Sequence, residues 1–199
     1  MKNTGIILLA AGSSTRMGSP KQLLLYQGKT LLDRTIDTAL EVFDKEQIVL
    51  VLGANHNEIA STISNQNIPI SINEDWQSGM ASSIKSGLKT LIEHFPDLER
   101  CFISVCDQPH LTSNVFLEML QLNETSEKEI VASEYADTLG VPALFSKKYF
   151  DKLMNLTGEQ GAKKIIRQNM DDVETFEFEQ GIIDIDTQID YENLKTKND

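Results

Sequence analysis

The run Gly5-Ile6-Ile7-Leu8-Leu9 empties into Ala10-Ala11-Gly12-Ser13-Ser14-Thr15-Arg16-Met17-Gly18-Ser19-Pro20-Lys21-Gln22. An unbroken apolar run reads as a strand covered on both faces, which is the habit of a parallel sheet. The small residues after it let backbone N–H groups come close to an anion. Arg16 and Lys21 add positive charge where the backbone already favours a negative ligand. In a chain of net charge −12, two cations in a small polar loop stand out. The loop is neither of the two common phosphate cradles. It lacks G-x-x-x-x-G-K-[ST], because Ser19-Pro20 separates Gly18 from Lys21, and it lacks G-x-G-x-x-G.

Further apolar runs alternate with helix-period segments. Strands are expected at Ile6 to Ala10, Ile48 to Leu52, Pro69 to Ile72 and Cys101 to Val105. Helices are expected after Thr30, with Leu31, Leu32, Ile36, Ala39, Leu40 and Phe43 at core spacing, then over Asn57 to Ser64 and Ala81 to Phe95. This rhythm implies parallel βαβ units with right-handed crossovers. The second half is less regular. It offers helices at Asn114 to Leu122, Tyr149 to Met154, Ala162 to Asn169 and Tyr191 to Lys195, and strands at Glu129 to Ser133 and Val141 to Phe145. Val173 to Phe178 is expected as an edge strand, and residues 196–199 as a frayed end. In such a sheet ligands bind beyond the carboxyl ends of the strands. The first loop and Asp107 both sit there, so two distant segments converge on one crevice.

Composition narrows the partners. A pI near 4.7 argues against nucleic acid, because phosphate backbones require basic faces. No stretch approaches the roughly 20 apolar residues of a membrane span. Cys101 and Cys106 flank one apolar strand and read as small buried residues, which fits a reducing cytoplasm. His56, His94 and His110 have no metal-ligand spacing.

The first loop resembles the nucleotidyltransferase signature L-A-A-G-x-S-x-R-M-G-x-x-K. Three further segments extend the likeness. Asn73 to Ser83 resembles N-x-x-W-x-x-G-M-x-x-S, Asp107-Gln108-Pro109 resembles D-Q-P, and Asp184 to Asp190 resembles D-I-D-T-P-x-D. The chain is thereby similar to the molybdenum cofactor cytidylyltransferases and their MobA-like relatives. The resemblance implies a three-layer, Rossmann-like α/β fold with a mostly parallel sheet, of the nucleotide-diphospho-sugar transferase (glycosyltransferase-A-like) type. It implies one nucleotidyltransferase domain over residues 1–199. The reaction implied is transfer of CMP from CTP to the phosphate of molybdopterin, with pyrophosphate released and Mg²⁺ as cofactor. A molybdoenzyme would be the client.

Residue by residue, the resemblance makes Arg16 and Lys21 the catalytic cations. Leu9, Ala10, Ala11, Gly12, Ser13, Asn73, Gly79 and Ser83 would bind nucleotide. Asp107 and Asp186 would hold the metal, with Asp184 on the same face if the segment is extended. Mg²⁺ typically takes one or two protein carboxylates plus substrate phosphates. Gly158, Gly161 and Lys163 would meet the acceptor. Trp76, the only tryptophan, reads as a hydrophobic anchor more than a base-stacking platform. The Ala10-Ala11-Gly12 form resembles the cytidylyl branch, since guanylyl relatives usually carry Ala-Gly-Gly.

Two departures touch the acceptor side. The family's G-D-x-G-A-R is Gly158-Glu159-Gln160-Gly161-Ala162-Lys163 here, and its G-H-P is Gly140-Val141-Pro142. The donor side stays intact. A sugar or alditol phosphate acceptor, and a non-catalytic accessory protein for a molybdoenzyme, are the alternatives.

Overall fold

A computed structural model describes residues 3–64 and 67–196. The first strand, β1, spans Thr4–Ala10, and a two-residue hairpin, β2 (Leu25–Tyr26) and β3 (Lys29–Thr30), leads into helix α1 (Leu31–Leu40). Thr30 caps α1 by accepting the Asp33 N–H, as its position ahead of the apolar pattern predicts. β4 (Ile48–Leu52), α2 (His56–Thr62), β5 (Ile70–Ile72), α3 (Met80–His94) and β6 (Arg100–Val105) complete the alternating half. Then come α4 (Ser113–Thr125), β7 (Ile130–Tyr135), β8 (Thr138–Ser146), α5 (Phe150–Met154), α6 (Gly161–Gln168), β9 (Val173–Glu177) and α7 (Gln188–Thr196). Thr196 closes α7, and residues 197–199 lie outside the described part.

The main sheet has seven strands in the order β5-β4-β1-β6-β8-β7-β9. β5, β4, β1 and β6 are all parallel, and β9 runs parallel to β7 at the opposite edge. β8 alone runs antiparallel, to both β6 and β7. The short connection from β7 to β8, Ala136 and Asp137, both at positive φ, forces that reversal. A two-residue link makes a hairpin, not a crossover.

Strand alternation sorts the core into two layers. Ile7, Leu9, Val49 and Val51 face one way, onto Ile84, Leu88 and Leu91 of α3 and Ile165 and Ile166 of α6. Ile6, Leu8, Leu50 and Phe102 face the other, onto Leu32 and Ile36 of α1, Ile59 of α2 and Phe116 of α4. Helices on both faces give three layers, and explain why the central strands are apolar without a break. A smaller cluster of Tyr26, Leu31, Ile185, Tyr191 and Leu194 binds the hairpin to α7. Among the described residues no helix is long and apolar enough to cross a membrane.

Gly87 sets how closely α3 approaches the sheet. A Cβ there would stand 2.5 Å from Ile7 Cγ2 and 2.7 Å from Val51 Cγ2, both on stiff β-branched side chains. Gly87→Ala gains about 1 kcal/mol of helix propensity but overpacks a core site, at a cost of about 1–3 kcal/mol. The denaturation midpoint is expected to fall. The same substitution in an exposed helix would raise it.

Candidate active site

β1 is flanked by β4 on one side and β6 on the other, so its carboxyl end is where the connections diverge. That is the position at which open α/β sheets bind ligands. The loop leaving β1 is tied down from within. Gln22, only 1% exposed, lies in the turn just after the loop. Its amide Nε2 donates to the carbonyls of Ala10 (2.9 Å) and Gly12 (3.1 Å). Its Oε1 accepts from Ser14 Oγ, which in turn accepts from the Lys21 N–H. The intervening Ala11 carbonyl accepts from Ala54 N–H, just beyond β4.

Lys21 leaves this turn pointing at two carboxylates. Its Nζ donates to Asp107 Oδ2 at 2.5 Å and to Asp186 Oδ1 at 2.7 Å. Arg16 Nη2 donates to the other oxygen of Asp186 at 2.7 Å. Asp107 follows β6 and Asp186 precedes α7, and three hydrogen bonds fix the segments that carry them. Ile185 N–H donates to the Asp107 carbonyl at 3.0 Å. Gln108 Nε2 donates to the carbonyls of Gly181 (2.9 Å) and Val141 (3.0 Å), pinning the C-terminal segment to β8.

The electrostatics follow from this packing. Burial pulls the Lys21 ammonium toward neutrality, but the Asp107 charge and the hydrogen bonds to Asp107 and Asp186 outweigh it, and its pKa lies above the ordinary lysine value. The Lys21 hydrogen bond holds Asp186 below the usual carboxylate value, against partial burial and with help from Arg16. Asp184 goes the other way, because burial and the charges of Asp107 and Asp186 raise it. Burial pushes the Cys106 thiol up to about 12, so it stays protonated and is no nucleophile.

Two cavities meet at this cluster. One, of about 320 Å³, is lined by Leu9, Ala10, Ala11, Gly12 and Ser13 on one wall and Gly79, Met80 and Ser83 on the other, with Lys21 and Asp107 at its end. Trp76 both packs on the core and lines this wall. Asn73 stands behind it, buried, with Nδ2 donating to Ser82 Oγ and Ser83 Oγ. The second cavity, of about 520 Å³, shares Lys21 and Asp107 and adds Asp184, Asp186, Tyr135 and Lys163. Glu159 lines both. Gly158 and Gly161 bracket the turn that carries Glu159. The turn sits so close to Gly79, at φ 97°, that a Cβ there would lie 2.7 Å from the Gly158 carbonyl.

The structure thus gathers Lys21, Asp107, Asp186 and the loop residues at one crevice, with Arg16 at its rim. Gln22, Gln108, Tyr135 and Glu159 belong to it too. Gln108 and Glu159 fall inside segments that the sequence pattern marks, whereas Gln22 and Tyr135 act through bonds to backbone far away in sequence or through loop folding, which no local spacing marks.

Asp186 and Asp184 should act oppositely on stability. A carboxyl whose folded pKa is depressed contributes stability above its unfolded pKa of about 4 and loses it as pH falls through the folded value. Asp186→Asn should therefore lower Tm at pH 7, with the deficit closing in strong acid. A raised carboxyl costs stability once the pH exceeds its folded pKa. Asp184→Asn should raise Tm at pH 7 and make no difference below about pH 4. Thermal melts across pH check both.

Comparison with known proteins finds relatives along nearly the whole chain. The chain is 30% identical over 195 residues to a molybdenum cofactor cytidylyltransferase of Escherichia coli, covering 96% of this chain and 95% of that one. Among solved structures, a homologue of Mycobacterium tuberculosis Rv0371c from Mycobacterium sp. strain JC1 superposes with a TM-score of 0.84 at 29% identity, covering 98% and 96% of the two chains. Rv0371c itself, solved in complex with manganese, superposes at 0.76 with 26% identity over 96% of each chain. The profile of the MobA-like NTP transferase domain matches residues 6–173, and the chain belongs to that family of nucleotidyltransferases.

Proposed function

We propose that residues 1–199 act as one nucleotidyltransferase domain that moves CMP from CTP to the phosphate of a molybdopterin-type acceptor. An acceptor phosphate oxygen attacks the α-phosphorus. The bond from that phosphorus to the bridging oxygen breaks, and pyrophosphate leaves with the electron pair. The observation that carries the reading is Lys21 Nζ touching both Asp107 and Asp186, at the end of a loop built of small residues. Cation, paired carboxylates and loop lie where a triphosphate and an acceptor phosphate would have to meet.

The donor set fits a hard divalent cation. Two carboxylates from different segments reach one nitrogen, and among the described residues no cluster of three or more acidic, His or Cys side chains forms a complete cage. Two carboxylates with phosphates and water completing the shell is the usual arrangement for Mg²⁺. Asp107 and Asp186 would hold the ion. It would neutralise phosphate charge and polarise the phosphorus for attack.

The chain's own residues supply the rest. Loop N–H groups position the β- and γ-phosphates, and Arg16, a planar fork, places charge on the same oxygens. Lys21 meets the charge that develops on the departing pyrophosphate. The walls formed by Leu9 to Ser13 and by Gly79 to Ser83 hold ribose and base. The second cavity, with Lys163 and Tyr135, receives the acceptor. Preference for CTP rests on the Ala10-Ala11-Gly12 form together with the cytidylyl relative. A cytoplasmic setting, and a molybdoenzyme that takes up the product, complete the reading.

The acceptor cavity supports a second reading. Lys163 stands where the family pattern has Arg, and Glu159 lines the cavity in place of Asp, which alters reach and fork geometry. A sugar or alditol phosphate is the competing acceptor. Incubation with each NTP, a divalent cation and each acceptor, followed by pyrophosphate release, decides between them. Turnover with CTP and a pterin phosphate is expected. Nucleotide binding without turnover on any acceptor would point to the accessory protein instead.

Arg16 offers a clean check on the donor side. Its side chain is 68% exposed and its bond to Asp186 is a surface ion pair, worth about 0–1 kcal/mol. Arg16→Lys should lower kcat/KM by about a hundredfold or more, in line with loss of a preorganised charge donor, and shift Tm very little. Undiminished turnover would remove Arg16 from the phosphate site.

A further inference from the structure

The carbonyls of Ala10, Ala11 and Gly12 are all engaged, two by the Gln22 amide and one by the Ala54 N–H. Among the described residues, the N–H groups of positions 12–16 donate to no recorded partner. At its start, from Ala10 to Gly12, the loop therefore has its acceptors tied back while the N–H groups that follow stay free, which is the polarity an anion requires. Nothing intrinsic to Gly12, Ser13 and Ser14 enforces this. Small residues let a peptide plane turn either way, and a turned plane would face a carbonyl oxygen toward the ligand. Ser14, at φ 52°, sits in a backbone region that non-glycine residues rarely adopt. Its hydroxyl joins the Gln22 amide oxygen to the Lys21 N–H, closing a ring of bonds through the loop and the turn that follows.

We infer that Gln22 is the positioning residue that makes this loop selective for a triphosphate. Its amide sets the peptide planes at Ala10 and Gly12 so that these two carbonyls turn away and the loop presents N–H groups to the β- and γ-phosphates. It touches no substrate itself. Its Nε2 donors are both spent on the backbone, and a side chain without donors cannot replace them. Burial makes the effect one-sided. Losing the amide leaves the buried Ala10 carbonyl and the part-buried Gly12 carbonyl without their partner, and turning toward solvent and the ligand is their escape. The same turn also sets the start of the Lys21 side chain, so Gln22 couples the anion-binding loop to the cation that reaches Asp107.

The inference rests on the nucleotidyl-transfer reading and is separable from it by experiment. Trp76 lines the same cavity as Gln22 and is the only tryptophan, so its fluorescence reports binding there. CTP and CMP are titrated into the wild type, Gln22→Met and Ser14→Ala, with Tm measured for each. Gln22→Met keeps length and volume while removing both donors, and Ser14→Ala removes only the hydroxyl that orients the amide. The wild type should bind CTP far more tightly than CMP. Gln22→Met should lower that ratio by about tenfold or more, with CMP affinity within about twofold of wild type, because the lost interaction lies at the phosphates. Ser14→Ala should move the ratio the same way by less. A purely structural Gln22 would shift Tm and leave the ratio alone. An unchanged ratio in Gln22→Met, or in Ser14→Ala should the first fail to fold, overturns the inference. A wild type whose fluorescence responds to none of CTP, GTP, UTP or ATP overturns the nucleotidyl reading, and the inference with it.

Discussion

Everything at the site depends on β1 lying between β4 and β6, all three parallel. Parallel pairing aligns the carboxyl ends, so the loop after β1 and the aspartate after β6 emerge side by side although about ninety residues separate them. The register puts Leu9 opposite Val105, so Asp107 appears barely two residues beyond the sheet, level with Ala11. The sheet is held against helices on both faces chiefly by apolar packing, with Ser71 of β5 also bonded to Ser86 and Thr90 of α3. The charged cluster of the site lies at its carboxyl edge, where the strands run out.

That edge carries an inversion of the chain's overall charge. A molecule with twelve more acidic than basic groups places Arg16 and Lys21 at one crevice, and uses its carboxylates there to orient them. Two carboxylates facing one ammonium leave Asp184, the third acid nearby, without a cation of its own. Burial, with the neighbouring charges of Asp107 and Asp186, raises its pKa, while the hydrogen bond from Lys21 lowers that of Asp186. Lys21 thus lies at the junction of three things: a loop tied back by Gln22, a pair of aspartates and two cavities. Gln108 does for the aspartate pair what Gln22 does for the loop. Each is a buried amide whose Nε2 bonds two backbone carbonyls, and each ties a loop segment to the edge of the apolar core.

Much of the fold could be read from the chain because its signals were local. β4 spans Ile48 to Leu52 as the apolar run predicts, α1 starts where Thr30 caps it, and α3 begins one residue from Ala81. The parallel half obeys the alternation of strand and helix. The reversal at β8 was less visible, since Ala136-Asp137 is not a strong turn pair, although both residues adopt positive φ. The β2–β3 hairpin was not among the expected elements, because two-residue strands leave no alternation to read in the sequence. For the site, Arg16, Lys21, Asp107 and Asp186 stood out as charged residues next to apolar or small segments. Asn73 also stood out, yet it lies one layer behind the cavity, where its amide holds Ser83. Exposure in the folded chain, not residue type, decides which of two neighbouring polar groups faces a ligand.

The sequence by itself determined the alternation of buried strands and amphipathic helices, the small-residue loop with its two cations, and the family to which those motifs belong. These are properties of neighbours, written in periodicity and order. The tertiary structure alone decided that Lys21 bridges Asp107 and Asp186, that Gln22 and Gln108 are the amides holding the site together, and that Glu159 stands between two cavities. Each of these joins segments far apart in the chain. Partners of that kind are chosen when strands pair and close, and no local rule of spacing encodes them.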